Sequence, residues 1–284
     1  MIYFFTGSSI GDVGLAITQA FSITGIITSG ITSIADCENL MVSVERVLEF
    51  TKLEEEDKSG KNLSSWPKLG SISFNDVALT YNDTKMLRNI NFDVNAKEKV
   101  GIIGRTGAGK SSIITSLFRI YQTHGKITID EVDINDVSLK WLRSNISLIP
   151  QDPYLFPGSI RENLDPMKQY TDEEIWKVLK ELHLDAVIKE LGTRVDKGTT
   201  FSTGQKQLLC FARVILRKNK IVILDEVTAN VDKETEVLIE EIVQKHFKEC
   251  TMLIVAHKSL AVSNCSKIIV LSNGRISEFD DRGA

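Results

Sequence analysis

The chain has 284 residues, with 34 basic and 38 acidic side chains and a formal net charge of −4. At about 150 residues a domain, this length allows one large domain with an addition, or two small ones. It leaves little room for a polytopic membrane protein. With 42% hydrophobic and 25% charged residues, the composition is that of a folded, soluble protein, which disfavours both disorder and a nucleic-acid-coating function.

The N-terminal segment differs from the rest. Lys and Arg are absent from residues 1–45, and Val13–Ala35 carries no charge of either sign. About 20 apolar residues can span a bilayer, and the many Thr, Ser and Gly residues suit a helix packed among other membrane helices. A buried helix of a soluble domain is the alternative, which these residues leave open. A signal peptide is disfavoured because Met1–Phe5 has no basic residue.

A helical pattern continues through residues 41–48, and the charged run Glu54–Lys61 then interrupts it. We interpret this run as a solvated linker. From Ile72 onward, short β-rich runs alternate with helical patterns, which is typical of an α/β domain with a largely parallel sheet. The four cysteines form no CxxC pair, so we expect reduced thiols rather than a zinc site or a disulfide framework.

A glycine-rich segment carries the most specific motif. Residues Gly104–Ser111 satisfy the pattern G-x-x-x-x-G-K-[ST], after a predicted buried strand at 100–103 and before a predicted helix at 112–120. The glycines let backbone N–H groups cradle phosphate oxygens at a helix N-terminus. Lys110 is then expected to contact the terminal phosphates, and the Ser111 hydroxyl to bind Mg²⁺.

The apolar run Ile221–Leu224 predicts a strand that ends in two carboxylates, Asp225 and Glu226. Ligands of an open α/β sheet bind at the carboxyl ends of the strands. Asp225 is expected to hold Mg²⁺, and Glu226 to orient and polarise an attacking water. Acidic turns after strands are common, so the phosphate loop is what makes this pair informative.

Residues 201–215 have the pattern of a capped helix. Ser202 and Gln205 have the spacing of a capping box, and apolar residues follow at helical spacing. A capped helix N-terminus beside Gly204 can bind an anion. The chain is therefore expected to carry two phosphate-binding surfaces.

Further motifs in a fixed order make the chain resemble the nucleotide-binding domain of an ATP-binding cassette transporter. Tyr81 and Gln151 occur at the positions in the motif order where the family has a tyrosine and a glutamine. Ser202–Gln205 looks like the family's signature, Ala229–Asp232 looks like its D-loop, and Ala256-His257 looks like its H-switch. The resemblance implies an α/β P-loop NTPase cassette: a RecA-like parallel sheet, an antiparallel β subdomain and a helical signature subdomain at about 152–215, preceded by one transmembrane helix.

The resemblance also implies the site. The catalytic residues would be Glu226, His257 and Gln151, with His257 contacting the γ-phosphate and Gln151 sensing the metal. Mg²⁺ would be held by Ser111, Gln151 and Asp225, and Tyr81 would stack on adenine. The ATP-binding set would be Tyr81, Gly104, Thr106, Gly107, Ala108, Gly109, Lys110, Ser111 and Ser112, with Ser202, Gly204 and Gln205 closing over the ATP of a partner cassette.

Pro150–Pro153 and Leu155–Pro166 are similar to subfamily C, the multidrug resistance-associated proteins, especially its short, type-four-like members. The phosphate loop and Glu226 are similar to the second, C-terminal cassette. The implied domains are 1–52, the end of the transmembrane domain with a membrane helix at about 13–35; 53–69, a linker; and 70–284, the nucleotide-binding domain. The chain would then be the C-terminal piece of a longer protein.

This resemblance implies a plasma-membrane exporter that couples ATP hydrolysis to transport of organic anions or drugs, with its cassette in the cytoplasm. Its partners would be the first cassette and the other transmembrane helices of the same transporter, and a transported substrate. A nucleotide-gated channel or regulatory subunit is the first alternative, and a soluble cassette ATPase the second. The net charge of −4 and the lack of a basic tract argue against a nucleic-acid partner.

Some residues depart from the family's pattern. Phe201 begins the signature and Thr203 replaces a small or apolar residue, while Lys258 follows His257 in place of Arg. Glu131 stands where the family has a turn glycine, so a strained hairpin tip is expected there. These departures affect how binding and catalysis are tuned, and they leave the phosphate ligands and the carboxylates in place.

Overall fold

The computed structural model describes residues 10–53, 55–56, 59–81, 83–195, 201–256 and 264–281. The chain divides into two compact units, residues 1–57 and 58–284. The described part of the first unit is dominated by one helix, and that of the second is an α/β assembly.

The helix of the first unit, α1, runs without a break over Ile10–Thr51. At 1.5 Å per residue it is roughly 60 Å long, about twice the hydrocarbon thickness of a bilayer. It is long and apolar enough to cross a membrane, with a mean hydropathy of 1.4 over its most apolar window. Its large apolar side chains, among them Phe21, Ile26 and Ile34, are exposed. These features favour the membrane interpretation of this segment.

The hydroxyl groups of α1 bond to the helix itself. The Thr18 hydroxyl donates to Gly14 O at 2.9 Å, the Ser22 hydroxyl to Thr18 O at 3.0 Å, and the Thr28 hydroxyl to Thr24 O at 2.9 Å. Hydrocarbon offers no hydrogen-bond partner, so hydroxyls inside a bilayer need internal acceptors. The abundance of Ser and Thr is therefore compatible with a membrane span.

The second unit begins with an antiparallel sheet. Its strands are β1 (Ile72–Tyr81), β2 (Thr84–Val94), β4 (Thr123–Ile129) and β5 (Val132–Asp133), in the order β2-β1-β4-β5. Residues of alternate positions on β1 are buried, and the ring of Phe74 stacks on that of Phe92 at a centroid distance of 4.5 Å. This inward face forms one side of the larger apolar core.

A six-stranded sheet forms the centre of the unit. Its strands are β3 (Lys99–Gly104), β6 (Ile146–Ile149), β9 (Ile221–Asp225), β10 (Thr251–Ala256), β11 (Lys267–Ser272) and β12 (Arg275–Asp281). The order is β12-β11-β3-β10-β9-β6, and all neighbours are parallel except β11 and β12. The predicted, largely parallel sheet is confirmed. Because β3 and β9 are both parallel neighbours of β10, the segments that follow them lie at the same edge.

Helices cover this sheet. They are α2 (Lys110–Leu117), α3 (Leu139–Asn145), α4 (Ile160–Leu164), α5 (Asp172–Glu181), α6 (Thr203–Arg217) and α7 (Lys233–His246), with a 3₁₀ turn at Ile134–Asp136. The short strands β7 (Gly158–Ser159) and β8 (Arg194–Val195) pair beside α4. Apolar faces of α4, α5 and α6 meet in a second core, which includes Ile160, Ile175 and Phe211. These three helices pack together, and α6 ends at Arg217.

The tip of the β4–β5 hairpin is held in the left-handed region. Asp130 has φ 48° and Glu131 has φ 66°, so the turn that the sequence analysis expected to be strained does place a glutamate at positive φ. The Asp130 carboxylate accepts backbone N–H bonds of 2.7–2.9 Å from all four residues of 68–71. These bonds anchor the chain just before β1 to the hairpin.

Candidate functional site

The glycine-rich loop between β3 and α2 needs its glycines for two different reasons. Gly107 has φ +80°, and a Cβ there would meet nothing within 4 Å, so the loop is open on that side. Gly109 has φ +108°, and its Cβ would lie 3.1 Å from Met86 O. A Cβ on Gly104 would lie 2.7 Å from Leu271 O. Close packing thus requires Gly104 and Gly109, while Gly107 allows the turn toward solvent.

The N-terminus of α2 faces this loop. Gly109 is the N-cap residue and has no side chain with which to cap the helix, and the first N–H groups of a helix have no partner within it. Ser111 is exposed in the first turn, whereas Ser112 and Ala108 are buried beside it. The arrangement leaves backbone donors and a hydroxyl at the end of the helix that favours anions.

Lys110 connects the loop to the end of β9. Its Nζ donates to Gly104 O at 3.0 Å and lies 3.5 Å from Glu226 Oε1. The side chains of Lys110 and Glu226 are only 6% and 8% exposed. The two segments that the sequence analysis assigned to phosphate and to the carboxylates therefore form one site.

The carboxylates of Asp225 and Glu226 lie close to each other and to Lys110 at the end of β9. Glu226 has φ 50°, and its backbone N–H donates to Val255 O at 2.9 Å on the neighbouring β10. Burial raises the pKa of Asp225, the adjacent Glu226 carboxylate raises it further, and Lys110 offsets part of the effect. A cation at this edge would stabilise the charged form of Asp225.

The donor set at this edge fits Mg²⁺ better than a metal held by protein alone. The described residues contain no cluster of three or more His, Cys, Asp or Glu side chains that could hold a metal. Mg²⁺ is usually held by one or two carboxylates together with waters and substrate phosphates. Asp225 is such a carboxylate, and the exposed Ser111 hydroxyl offers a further oxygen ligand.

Gln151 follows a strand of the six-stranded sheet, whereas Tyr81 ends a strand of the antiparallel sheet. Gln151 is exposed two residues after β6, the parallel neighbour of β9, so it follows the same edge as Asp225. Tyr81 ends β1 and is 47% exposed. Its ring centroid lies 4.9 Å from that of Tyr121. Sequence reasoning missed Tyr121, for which an aromatic residue shortly before a predicted strand was the one available signal.

The signature residues form the predicted capping box at the start of α6. Gln205 N–H donates to the Ser202 hydroxyl at 3.1 Å, and Ser202 N–H donates to Gln205 Oε1 at 3.0 Å. Gly204 packs against α7, because a Cβ on it would lie 2.9 Å from Thr235 Oγ1. Thr235 is in turn held by the N-cap residue Asp232, which accepts from its N–H at 2.8 Å.

Two further residues of α6 bind the segment around Gln151, and sequence reasoning found neither. The Gln207 amide donates to Pro150 O at 3.2 Å. The Arg213 guanidinium donates to Tyr154 O at 2.8 Å, and to Asn163 O and Oδ1 at 2.7 and 2.9 Å. Their positions in the helix pattern look like ordinary core and surface sites, so no local signal marked them. His257 lies outside the described residues.

The parallel sheet has a glycine-rich loop after one strand and two carboxylates at the end of a strand two places away, and a lysine joins them. This combination defines a P-loop nucleotide-binding domain. The comparisons with known proteins define the family. The sequence profile described as ABC transporter matches residues 87–229.

Several curated relatives match almost the whole chain. It is 43% identical over 281 residues, 95% of its length, to ATP-binding cassette sub-family C member 4 of Homo sapiens. It is 42% identical over 284 residues, 94% of its length, to the probable multidrug resistance-associated protein lethal(2)03659 of Drosophila melanogaster. The chain spans only 21% and 20% of these two relatives. The chain belongs to the ABC transporter family, and the matched residues lie in its second unit.

Proposed function

We propose that this cassette hydrolyses Mg-ATP and couples the reaction to transport of organic anions or drugs by a subfamily C exporter. The observation that carries the proposal is the 3.5 Å approach of Lys110 Nζ to Glu226 Oε1. It joins the phosphate loop to the carboxylates, and in-line attack on a γ-phosphate needs both at one place.

Binding of the triphosphate is assigned to the loop and to the start of α2. The loop residues 104–112 would surround the phosphate oxygens, and backbone N–H groups at the start of α2 would bind them, helped by the partial positive charge of the helix N-terminus. Lys110, which is bonded to Gly104 O and lies near Glu226, would turn its ammonium to the terminal phosphates. Thr106 is exposed on the open side of the loop.

Ser111, Asp225 and Gln151 would hold Mg²⁺. The chemistry that a bound Mg²⁺ supplies is neutralisation of charge on the β- and γ-phosphates. The raised pKa of Asp225 supports this assignment, because a divalent cation offsets the burial and the like charge that disfavour its carboxylate. Gln151 follows the strand next to Asp225, which suits a role in sensing the metal.

Glu226 would orient and polarise the attacking water, while Tyr81 stacks on the adenine. Water then forms a bond to the γ-phosphorus as the bond from that phosphorus to the β,γ-bridging oxygen breaks. His257 is proposed to contact the γ-phosphate.

A partner cassette would complete the site. Ser202 and Gln205 cap α6, and Gly204 leaves the helix end without a side chain that could block it. We assign this end to the ATP held by the first cassette of the same transporter, since a capped helix N-terminus binds anions.

The membrane assignment rests on α1. The proposed boundaries are 1–52 for the end of the transmembrane domain, with the span at about 13–35, then 53–69 for the linker and 70–284 for a cytoplasmic cassette. The remaining membrane helices would belong to the same transporter, in the plasma membrane. The length and hydropathy of α1 and its internally bonded hydroxyls support this assignment.

Glu226→Gln in the full transporter tests the proposal. This variant should bind Mg-ATP normally but hydrolyse it several orders of magnitude more slowly, because the water loses its orienting carboxylate. The matched control is Glu234→Gln, an exposed position on α7, which should keep the native rate. Native turnover by the Glu226 variant would refute the proposal. In inverted vesicles, an ATP-dependent conductance without anion accumulation would favour the nucleotide-gated channel.

A further inference from the structure

Tyr121 packs directly on Tyr81. The two ring centroids are 4.9 Å apart and the ring planes are tilted by 58°, which is a favourable geometry for an aromatic pair. The side chains are nevertheless 47% and 39% exposed. Each tyrosine thus has an aromatic contact on one side and an open surface elsewhere.

Neighbouring elements connect the pair to the phosphate loop. Tyr81 pairs with Thr84 at the β1–β2 turn. Two residues further along β2, Met86 O lies 3.1 Å from the position that a Cβ on Gly109 would take. Tyr121 lies between α2, which starts at the loop, and β4, which pairs with β1. Tyr81 is therefore linked to the loop through β2, and Tyr121 through α2.

The distance between the rings determines what Tyr121 can do. Carbon atoms in contact are about 3.5–4 Å apart, so two rings that enclosed a flat base would be separated by about 7 Å. At 4.9 Å no base fits between them. Tyr121 therefore contacts the Tyr81 ring directly, and a ligand can reach only the part of Tyr81 that stays exposed.

We propose that Tyr121 is a positioning residue for nucleobase recognition. Its ring restricts the rotation of the Tyr81 side chain, so that the exposed part of the Tyr81 ring is already oriented when a purine stacks on it. Ordering the side chain before binding lowers the entropy lost on binding and so raises affinity. This inference rests on the proposed function, in which Tyr81 stacks on the adenine.

The test compares a ligand that has a base with one that lacks it. In the full transporter, Tyr121→Ser should raise the dissociation constant for Mg-ATP about threefold to tenfold, which corresponds to the worth of an aromatic pair. Its affinity for Mg-tripolyphosphate, measured by the same calorimetric titration, should not change. Tyr121→Phe keeps the ring and should bind both ligands normally.

The control is Tyr154→Ser, because Tyr154 is also an exposed tyrosine in an aromatic pair, with its ring 5.1 Å from that of Phe156. It should leave both affinities unchanged. Adding Tyr121→Ser to Tyr81→Ala should weaken Mg-ATP binding no further, since Tyr121 acts through Tyr81.

Two results would overturn the inference. One is an unchanged affinity of Tyr121→Ser for Mg-ATP, and the other is an equal loss for tripolyphosphate, which would mean damage to the loop. Lys110→Ala separates this failure from failure of the proposed function. If Lys110→Ala loses affinity for both ligands while Tyr121→Ser loses affinity for neither, only the inference about Tyr121 fails. If Lys110→Ala keeps its affinity for both ligands, the proposed phosphate site fails.

Discussion

Replacing Arg213 by lysine tests how the segment after Gln151 is tied to α6. The three guanidinium bonds to oxygen, to Tyr154 O and to both oxygens of Asn163, come from one planar group. Asn163 is itself buried, and its amide donates to Phe156 O at 2.9 Å and to Ser159 O at 3.0 Å. Arg213 and Asn163 therefore both hold the segment that follows Gln151: Arg213 bonds it to α6, and Asn163 forms hydrogen bonds inside it.

The expected loss follows from the number of bonds. A hydrogen bond from a charged group contributes about 1.5–3 kcal/mol, and a lysine ammonium on a flexible stem can keep one of the three acceptors. Two bonds are lost, but Tyr154 O is near solvent and water can replace part of that interaction. We expect Arg213→Lys to lower the free energy of unfolding by about 2–3 kcal/mol.

Urea unfolding of the chain in detergent measures this loss. The matched control is Arg217→Lys, one helical turn further along α6 and exposed, which should change the free energy of unfolding by less than about 0.5 kcal/mol. Combining Arg213→Lys with Asn163→Ala should destabilise less than the sum of the single changes, because the two residues share bonds. Equal effects of the Arg213 and Arg217 variants would refute the reasoning.

Two further predictions concern single contacts. Burial raises the pKa of Asp130, but the N–H bonds from residues 69–71 outweigh it and lower the pKa overall. Its carboxylate therefore stabilises the fold above the unfolded-state pKa of about 3.9, and this stabilisation is lost as the pH falls through the lowered folded-state pKa. Asp130→Asn should lower the midpoint of thermal unfolding at pH 7, with a difference that shrinks in acid; a difference independent of pH would contradict this. Gly204→Ala should cost about 1–3 kcal/mol in urea unfolding through overlap with Thr235 Oγ1. Thr235→Ala should restore most of that loss, and a failure to restore it would count against the contact.

Local features of the fold were predictable from the sequence. The capping box of Ser202 and Gln205 depends on residues three positions apart, and the structure contains it. The phosphate loop between a strand and a helix was equally readable, since glycines at fixed spacing determine the turn. The uncharged run Val13–Ala35 predicted an apolar helix, and the helical spacing through residues 41–48 predicted more helix beyond it. The structure joins the two into one helix, Ile10–Thr51.

Contacts between distant parts of the chain were not predictable in this way. Tyr121, Arg213 and Thr235 carry no motif, and each became visible only through its partner: the Tyr81 ring, the Asn163 oxygens and Gly204. Sequence periodicity describes one element at a time. It contains no information about which side chain of a second element lies opposite.

The sequence by itself determined which residues could bind phosphate and metal, because those patterns are local and the chemistry needs particular side chains. The tertiary structure decided that the two patterns form one site. Gly104 and Asp225 end different strands, and they meet because both strands are parallel neighbours of β10. The ion pair of Lys110 with Glu226 follows from that order, which is set by burial of apolar strands against one another rather than by the residues of the site.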